Sequence, residues 1–202
     1  MLQTLFVIYV AEAAVCVVAA CLMEDIIRKE ERSLSMDYMV VYSSKTGNTK
    51  QVATEIFSAL PGMSKDMQDL EEYNGKDADT FFVGFWTNRG TCDMSVIDFI
   101  SGLHGKKIAL FGTCGFGGDK EYYKSIEQKV SVWIPDDCEY LGTFMCQGKM
   151  PMHVREKYEI SMEDPKQEVW RKKMLQNFDE ALLHPNETDF ENARNFVKKT
   201  IE

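Results

Sequence analysis

Histidine is scarce in this 202-residue chain: His104, His153 and His184 are the three present, and they show no metal-ligand spacing. No nucleophile triad and no paired carboxylates stand out, which leaves the common hydrolytic arrangements without their residues. Positive charge is in deficit, with 23 Lys and Arg against 32 Asp and Glu and a net charge of −9. That balance argues against nucleic acid as a ligand and for a basic partner surface. The six cysteines show no pairing pattern, which reads as a reducing compartment. Neither glycine fingerprint of the nucleotide-binding loops, G-x-x-x-x-G-K-[ST] or G-x-G-x-x-G, is found.

Against these absences stands the stretch 38–53. The apolar run Tyr38-Met39-Val40-Val41-Tyr42 leads into Ser43-Ser44-Lys45-Thr46-Gly47-Asn48-Thr49, and an amphipathic pattern follows. A buried strand therefore enters a hydroxyl-rich turn that opens a helix. Amide groups at a helix start carry partial positive charge and lack intrahelical acceptors, so the turn is an anion cradle in which hydroxyls replace glycines. The bland alternative is an ordinary capped helix, since Asn48 and Thr49 are good caps.

Two further segments repeat the pattern of an apolar strand delivering a polar loop. Thr80–Phe85 leads into Trp86-Thr87-Asn88-Arg89-Gly90-Thr91, and Lys107–Phe111 leads into Gly112-Thr113-Cys114-Gly115-Phe116-Gly117. Strands separated by single helices imply right-handed crossovers and a parallel sheet covered on both faces. The expected elements are strands near 38–43, 63–68, 80–85, 107–112 and 139–145, and helices near 48–60, 93–102, 119–132 and 187–201.

The run Ser44-Lys45-Thr46-Gly47-Asn48-Thr49 resembles the S/T-x-T-G-x-T phosphate loop of the flavodoxin family, and the resemblance extends from about residue 37 to the C-terminus. It implies an α/β, flavodoxin-like fold with a five-stranded parallel sheet in the order 2-1-3-4-5 and a flavin at the switch point between strands 1 and 3. The implied cofactor is FMN. Its phosphate would lie on Ser44, Lys45, Thr46, Gly47, Asn48 and Thr49, and its ring among Trp86, Thr87, Asn88, Arg89, Gly90, Thr91, Thr113, Cys114, Gly115, Phe116 and Gly117. A flavin ring needs a flat neighbour and amides for its polar edge. Trp86 and Phe116 are the stacking candidates, or Trp86 only ends a core strand and Phe116 only closes a turn. The resemblance also makes the Gly90 or Gly115 peptide a candidate donor that flips on reduction. Asp93, Asp119 and Glu121 would lower the flavin's potential, or simply serve solubility. Cys92 and Cys114 depart from the family pattern and stand either near the ring or as small core residues.

Within that family the strings Val83-Gly84-Phe85-Trp86, Cys146-Gln147-Gly148-Lys149 and His184-Pro185-Asn186 resemble a clostridial-type group of short members. Some of that group accompany flavin-dependent reductases, including bilirubin reductase systems, so the resemblance implies a redox partner protein. The function expected is electron transfer to a partner reductase. A stand-alone FMN-dependent NAD(P)H:quinone-type reductase and a flavin-free interaction module are the alternatives.

Two regions fall outside a minimal member. Residues 146–185 form a helical insertion in which Lys149, His153, Arg155 and Lys157 are basic, and Asp164-Pro165 signals the start of a helix running to about Leu183. Trp170, Met174, Leu175, Phe178 and Leu182 are spaced to pack on the body. The insertion leaves strand 5 on the flavin side, as a lid, a docking surface or a cover for the sheet edge. Residues 1–35 are an apolar N-terminal segment, with residues 2–23 long enough to cross a bilayer but carrying Glu12. It reads as an anchor for a domain on the cytoplasmic side, or as a mis-assigned start with Met36 the natural first residue. No basic n-region or small-residue cleavage site marks a signal peptide.

Overall fold

The apolar runs pair into one sheet because each is wide enough to be covered on both faces. A computed structural model describes residues 35–160 and 168–202, together with Met23. In chain order the elements are β1 (Met36–Tyr42), α1 (Asn48–Ala59), β2 (Lys65–Asp69), β3 (Ala78–Trp86), α2 (Met94–Ser101) and β4 (Lys107–Cys114). They continue as α3 (Lys120–Ser131), β5 (Glu139–Gln147), α4 (Met152–Ile160), α5 (Glu168–Ala181) and α6 (Glu187–Ile201). All belong to one compact unit, Met36–Glu202. The apolar segment 2–23 and the Asp164-Pro165 helix start lie outside the described residues.

Every strand pair is parallel, in the order β2-β1-β3-β4-β5. Side chains alternate along each central strand and build two cores. Met39, Val41, Phe81, Val83, Phe85, Ile108 and Leu110 face α2 and α3 through Val96, Ile100, Ile126 and Val130. Val40, Tyr42, Phe82, Ala109 and Phe111 face α1 and α6 through Val52, Ala53, Ile56, Ala193 and Val197. Each such buried side chain contributes about 1.5–3 kcal/mol over an exposed one. Gly84 is required by this packing, since a Cβ there would lie 2.3 Å from the Phe111 ring.

The sheet runs further toward its carboxyl edge than the apolar runs do. β4 reaches Cys114 and β5 reaches Gln147, because Trp86 pairs with Thr113 and Cys114 with Gln147. Polar residues at the site are thus held in a ladder. β5 carries an extra residue where the register steps from Ile108 opposite Tyr140 to Ala109 opposite Gly142, and Gly142 takes φ 110° there. In the insertion, α5 buries Met174, Phe178 and Ala181, whereas Trp170 and Leu182 remain 48% and 41% exposed. Trp170 meets α4 rather than the sheet, edge-on to Tyr158 at 5.9 Å.

Candidate cofactor site

The loops after β1, β3 and β4 meet at the carboxyl edge and border a cavity of about 380 Å³. One wall is Lys45, Thr46 and Asn48, with Trp86 and Thr87, and with Thr113, Cys114 and Gly115; the other is the segment after β5, through Gly148, Lys149, Met150, Pro151, His153 and Val154. Of the residues expected from sequence, Ser44, Gly47 and Thr49 shape this turn without lining the cavity. Asn88 to Thr91, Phe116 and Gly117 stand outside the lining as well.

At one end lies the start of α1. Gly47 takes φ 82° as N-cap, a left-handed conformation that costs glycine little, and no side chain caps the helix. The amides of Asn48 and Thr49 are therefore open to an anion. Ser44 Oγ accepts the Lys50 amide at 3.2 Å, and Thr46 Oγ1 accepts Asn48 Nδ2 at 2.9 Å. Both bonds use the acceptor side of a hydroxyl, so each keeps its proton for a ligand. Thr49 Oγ1 is 3.0 Å from Thr113 Oγ1 in a buried contact that ties α1 to β4.

At the other end two polar atoms are stranded. Trp86 Nε1 and Thr87 Oγ1 are buried and have no hydrogen-bond partner. Buried polar atoms normally have one, and leaving one unpaired costs about 1–3 kcal/mol. Both residues line the cavity, so a flat ligand laid against the Trp86 face could meet Thr87 Oγ1 with its polar edge where no protein group does. That is the match expected of an FMN ring. Lys45 Nζ lies 4.3 Å from the centroid of the Trp86 ring.

The rest of the β3 loop is a closed turn. Asn88 and Thr91 exchange backbone hydrogen bonds of 2.7 and 3.1 Å around Arg89 and Gly90, which take φ 51° and 83°. Asn88 Nδ2 donates to Asp93 Oδ1 at 2.8 Å. Phe116 sits edge-on to Tyr122 at 6.0 Å. Asp119 caps α3, accepting the Glu121 and Tyr122 amides at 3.0 and 3.1 Å.

Cys92 and Cys114 share the core layer facing α2 and α3, while Cys146 lies in the opposite layer. Burial pushes the Cys92 thiol up to about 11 and the Cys114 thiol up to about 12. Cys114 Sγ also donates to the Phe116 carbonyl at 2.9 Å. These thiols are thus protonated at neutral pH, the form a core residue keeps rather than that of a nucleophile. Among the described residues no His, Cys, Asp and Glu group could hold a metal ion, and no helix is long and apolar enough to cross a membrane.

Sequence reasoning placed the insertion after β5 on the flavin side but named none of its residues as lining the site. Asn48 Nδ2 donates to the Lys149 carbonyl at 2.9 Å, the Gly148 amide to Cys114 O at 2.9 Å, and the Lys149 amide to His184 O at 3.1 Å. Gly148 was the available signal, because a Cβ there would lie 2.7 Å from Asn48 Nδ2. Of the basic residues in the insertion, Lys149 and His153 border the cavity, whereas Arg155 is paired with Glu159 and Asp179.

Comparison with known proteins agrees with this geometry. A family model described as a flavodoxin domain matches residues 39–198. The flavodoxin-like domain-containing protein BilS of Clostridioides difficile strain CD3 is 35% identical over 170 residues, covering 82% of this chain and 97% of that protein. Its namesake in Clostridium symbiosum strain WAL-14163 is 33% identical over 184 residues, covering 82% and 96%. Among solved structures, a flavodoxin of Streptococcus pneumoniae TIGR4 shares the fold at TM-score 0.52 and 18% identity, over 81% of this chain and 97% of that one. A rubredoxin oxygen:oxidoreductase of Desulfovibrio gigas does so at TM-score 0.54 and 13% identity, over 85% of this chain and 37% of that one. With the flavodoxin-domain model matched over residues 39–198 and the sheet in the order β2-β1-β3-β4-β5, this protein belongs to the flavodoxin domain family.

Proposed function

We propose that the protein binds FMN at the carboxyl edge of its sheet and carries electrons to a partner oxidoreductase, itself a flavin-dependent reductase. One observation carries the reading: a single cavity runs from the open start of α1 to the stranded Trp86 Nε1 and Thr87 Oγ1. Membership of the flavodoxin domain family supports the same cofactor, and the name of the BilS relatives agrees with it. Bound FMN supplies the reversible uptake and release of electrons. The chain supplies the hold on it. Thr46 and the first amides of α1 fix the phosphate, with Ser44 holding the turn through the Lys50 amide, Trp86 offers its face, and Thr87 with the loop backbone reads the polar edge. Met150, Pro151 and Val154 cover the cavity and exclude water.

The absence of a dinucleotide fingerprint favours a carrier over a stand-alone reductase. At about 380 Å³ the cavity lies near the lower end of the roughly 300–1,000 Å³ usual for small-molecule sites. The net charge of −9 fits a partner whose docking face is basic.

The test begins with the purified chain's visible spectrum and the mass of any flavin released from it. A flavin spectrum with FMN is expected. Mixing with NAD(P)H alone should then leave the colour unchanged over many turnovers of a typical reductase, and rapid bleaching would make the protein an enzyme in its own right. A colourless chain that refuses added FMN would reduce it to an interaction module.

A further inference from the structure

The loop after β4 is held from outside the flavodoxin core, by a side chain of the insertion. Asn177 on α5 donates from Nδ2 to the Gly115 carbonyl at 2.9 Å, and its Oδ1 accepts the Gly117 amide at 3.3 Å. Gln147, 6% exposed at the end of β5, donates from Nε2 to the same Gly115 carbonyl at 3.1 Å and to Asn177 Oδ1 at 3.3 Å. Two carboxamides thus clamp one short stretch of backbone. The pattern fixes the orientation of the Asn177 amide, because a carbonyl needs its nitrogen and an N–H needs its oxygen.

The two glycines make the clamp possible. A Cβ on Gly117 would lie 2.0 Å from Gln147 Oε1, and a Cβ on Gly115 would lie 2.4 Å from Met150 Sδ. Real side chains do not approach so closely, so any other residue there would displace either the clamp or the cavity wall. Because the peptide group is planar and trans, holding the Gly115 carbonyl toward Asn177 and Gln147 turns the Phe116 amide the opposite way and keeps it there. A peptide held by two donors does not turn over freely.

We propose that Asn177 is a positioning residue of the cofactor site, setting the backbone of the β4 loop through Gly115 and Gly117. The insertion helix is then part of the site, and not only a cover for the sheet edge or a surface for docking. The inference rests on the FMN reading above. Its signature follows from what the clamp holds: Gly115 borders the cavity, and none of the clamp's bonds reaches the phosphate turn at Ser44–Thr49. Losing the clamp therefore weakens FMN and riboflavin by the same factor, whereas a change at the phosphate turn separates them.

The experiment compares the full chain with Asn177→Leu and with Gln176→Leu, the neighbouring exposed position whose side chain bonds Glu180 on the same helix. Affinities for FMN and for riboflavin are read by quenching of flavin fluorescence, and the visible band of the bound flavin is recorded. Asn177→Leu is expected to weaken both flavins alike, by about tenfold, and to shift the band; Gln176→Leu is expected to match the wild type. Wild-type affinities and an unshifted band in Asn177→Leu would overturn the proposal. A second measurement does not depend on how the variant folds: in the flavin-free wild type the Gly117 amide should exchange slowly with solvent, and exchange at the rate of an open loop would overturn the clamp. A wild type that binds neither flavin overturns the cofactor reading, and this proposal with it, even where Gly117 is protected.

Discussion

Thr46 separates two ligands that differ by one phosphate. Its Oγ1 accepts Asn48 Nδ2 and so keeps its proton for an anion at the start of α1. A hydrogen bond to a charged group contributes about 1.5–3 kcal/mol, so Thr46→Val should weaken FMN by a factor of roughly 10 to 150 and leave riboflavin unchanged. Equal losses for the two ligands would remove the phosphate from this turn. Thr49→Val is the less clean probe, because Thr49 also holds Thr113 at 3.0 Å and its loss would loosen α1 against β4. Trp86 acts on the ring, and Lys45 stands in its way at 4.3 Å. An exposed cation over an indole is held by about 0.5–1 kcal/mol, so Lys45→Ala should tighten riboflavin roughly two- to fivefold by freeing that face. Titration followed by tryptophan fluorescence checks it; a weaker riboflavin complex would mean that Lys45 holds the ring instead of competing with it.

Among the elements, those that bury a continuous apolar run were legible and those fixed by distant partners were not. The stretches Val40–Tyr42, Phe81–Phe85 and Ile108–Phe111 announce central strands because both of their faces are covered. The turn at Ser44–Thr49 was legible for a local reason as well, since strand, hydroxyls, glycine and helix follow one another. The cavity wall after β5 was not, because Asn48 meets Lys149 across 101 positions, and Gly115 meets Asn177 across 62. No local pattern encodes such meetings. Phe116, expected among the ring residues from its loop, lies outside the cavity lining with its ring edge-on to Tyr122 in the first turn of α3. Gly84 shows what the strand pattern could not report. It reads as a weak spot in β3, yet its missing Cβ is the space that the Phe111 ring fills. Gly84→Ala should therefore destabilise the fold by about 1–3 kcal/mol with no effect on the spacing of the loops, as measured by urea denaturation of the flavin-free chain. An unchanged midpoint would mean that Phe111 has other room.

At the scale of the whole molecule, the buried thiols make stability depend on alkaline pH. Burial pushes Cys92 up to about 11, Cys114 up to about 12, and Cys146 well above its ordinary value of 9.0. The sign follows from which state holds the protons. Above the ordinary thiol value the unfolded chain gives up these protons while the native chain keeps them, so the native state binds more and its stability falls as pH rises. The contribution is fully present below about pH 9 and is lost progressively through the folded values near 11 and 12. Each group adds a slope of about 1.4 kcal/mol per pH unit inside that window. Desolvation also raises the half-buried Tyr123 and, with its hydrogen bond to Glu127, the exposed Tyr140, and both steepen the fall from about pH 10 upward. Cys114→Ala removes one thiol without touching the phosphate turn. Its stability should fall less steeply than the wild type's between about pH 9 and 11, by one group's share, about 1.4 kcal/mol per pH unit. Denaturant midpoints taken across that window decide it. Parallel curves would mean that the Cys114 proton is lost equally easily in both states, and that the thiol beside the cavity is open to solvent rather than sealed into the core.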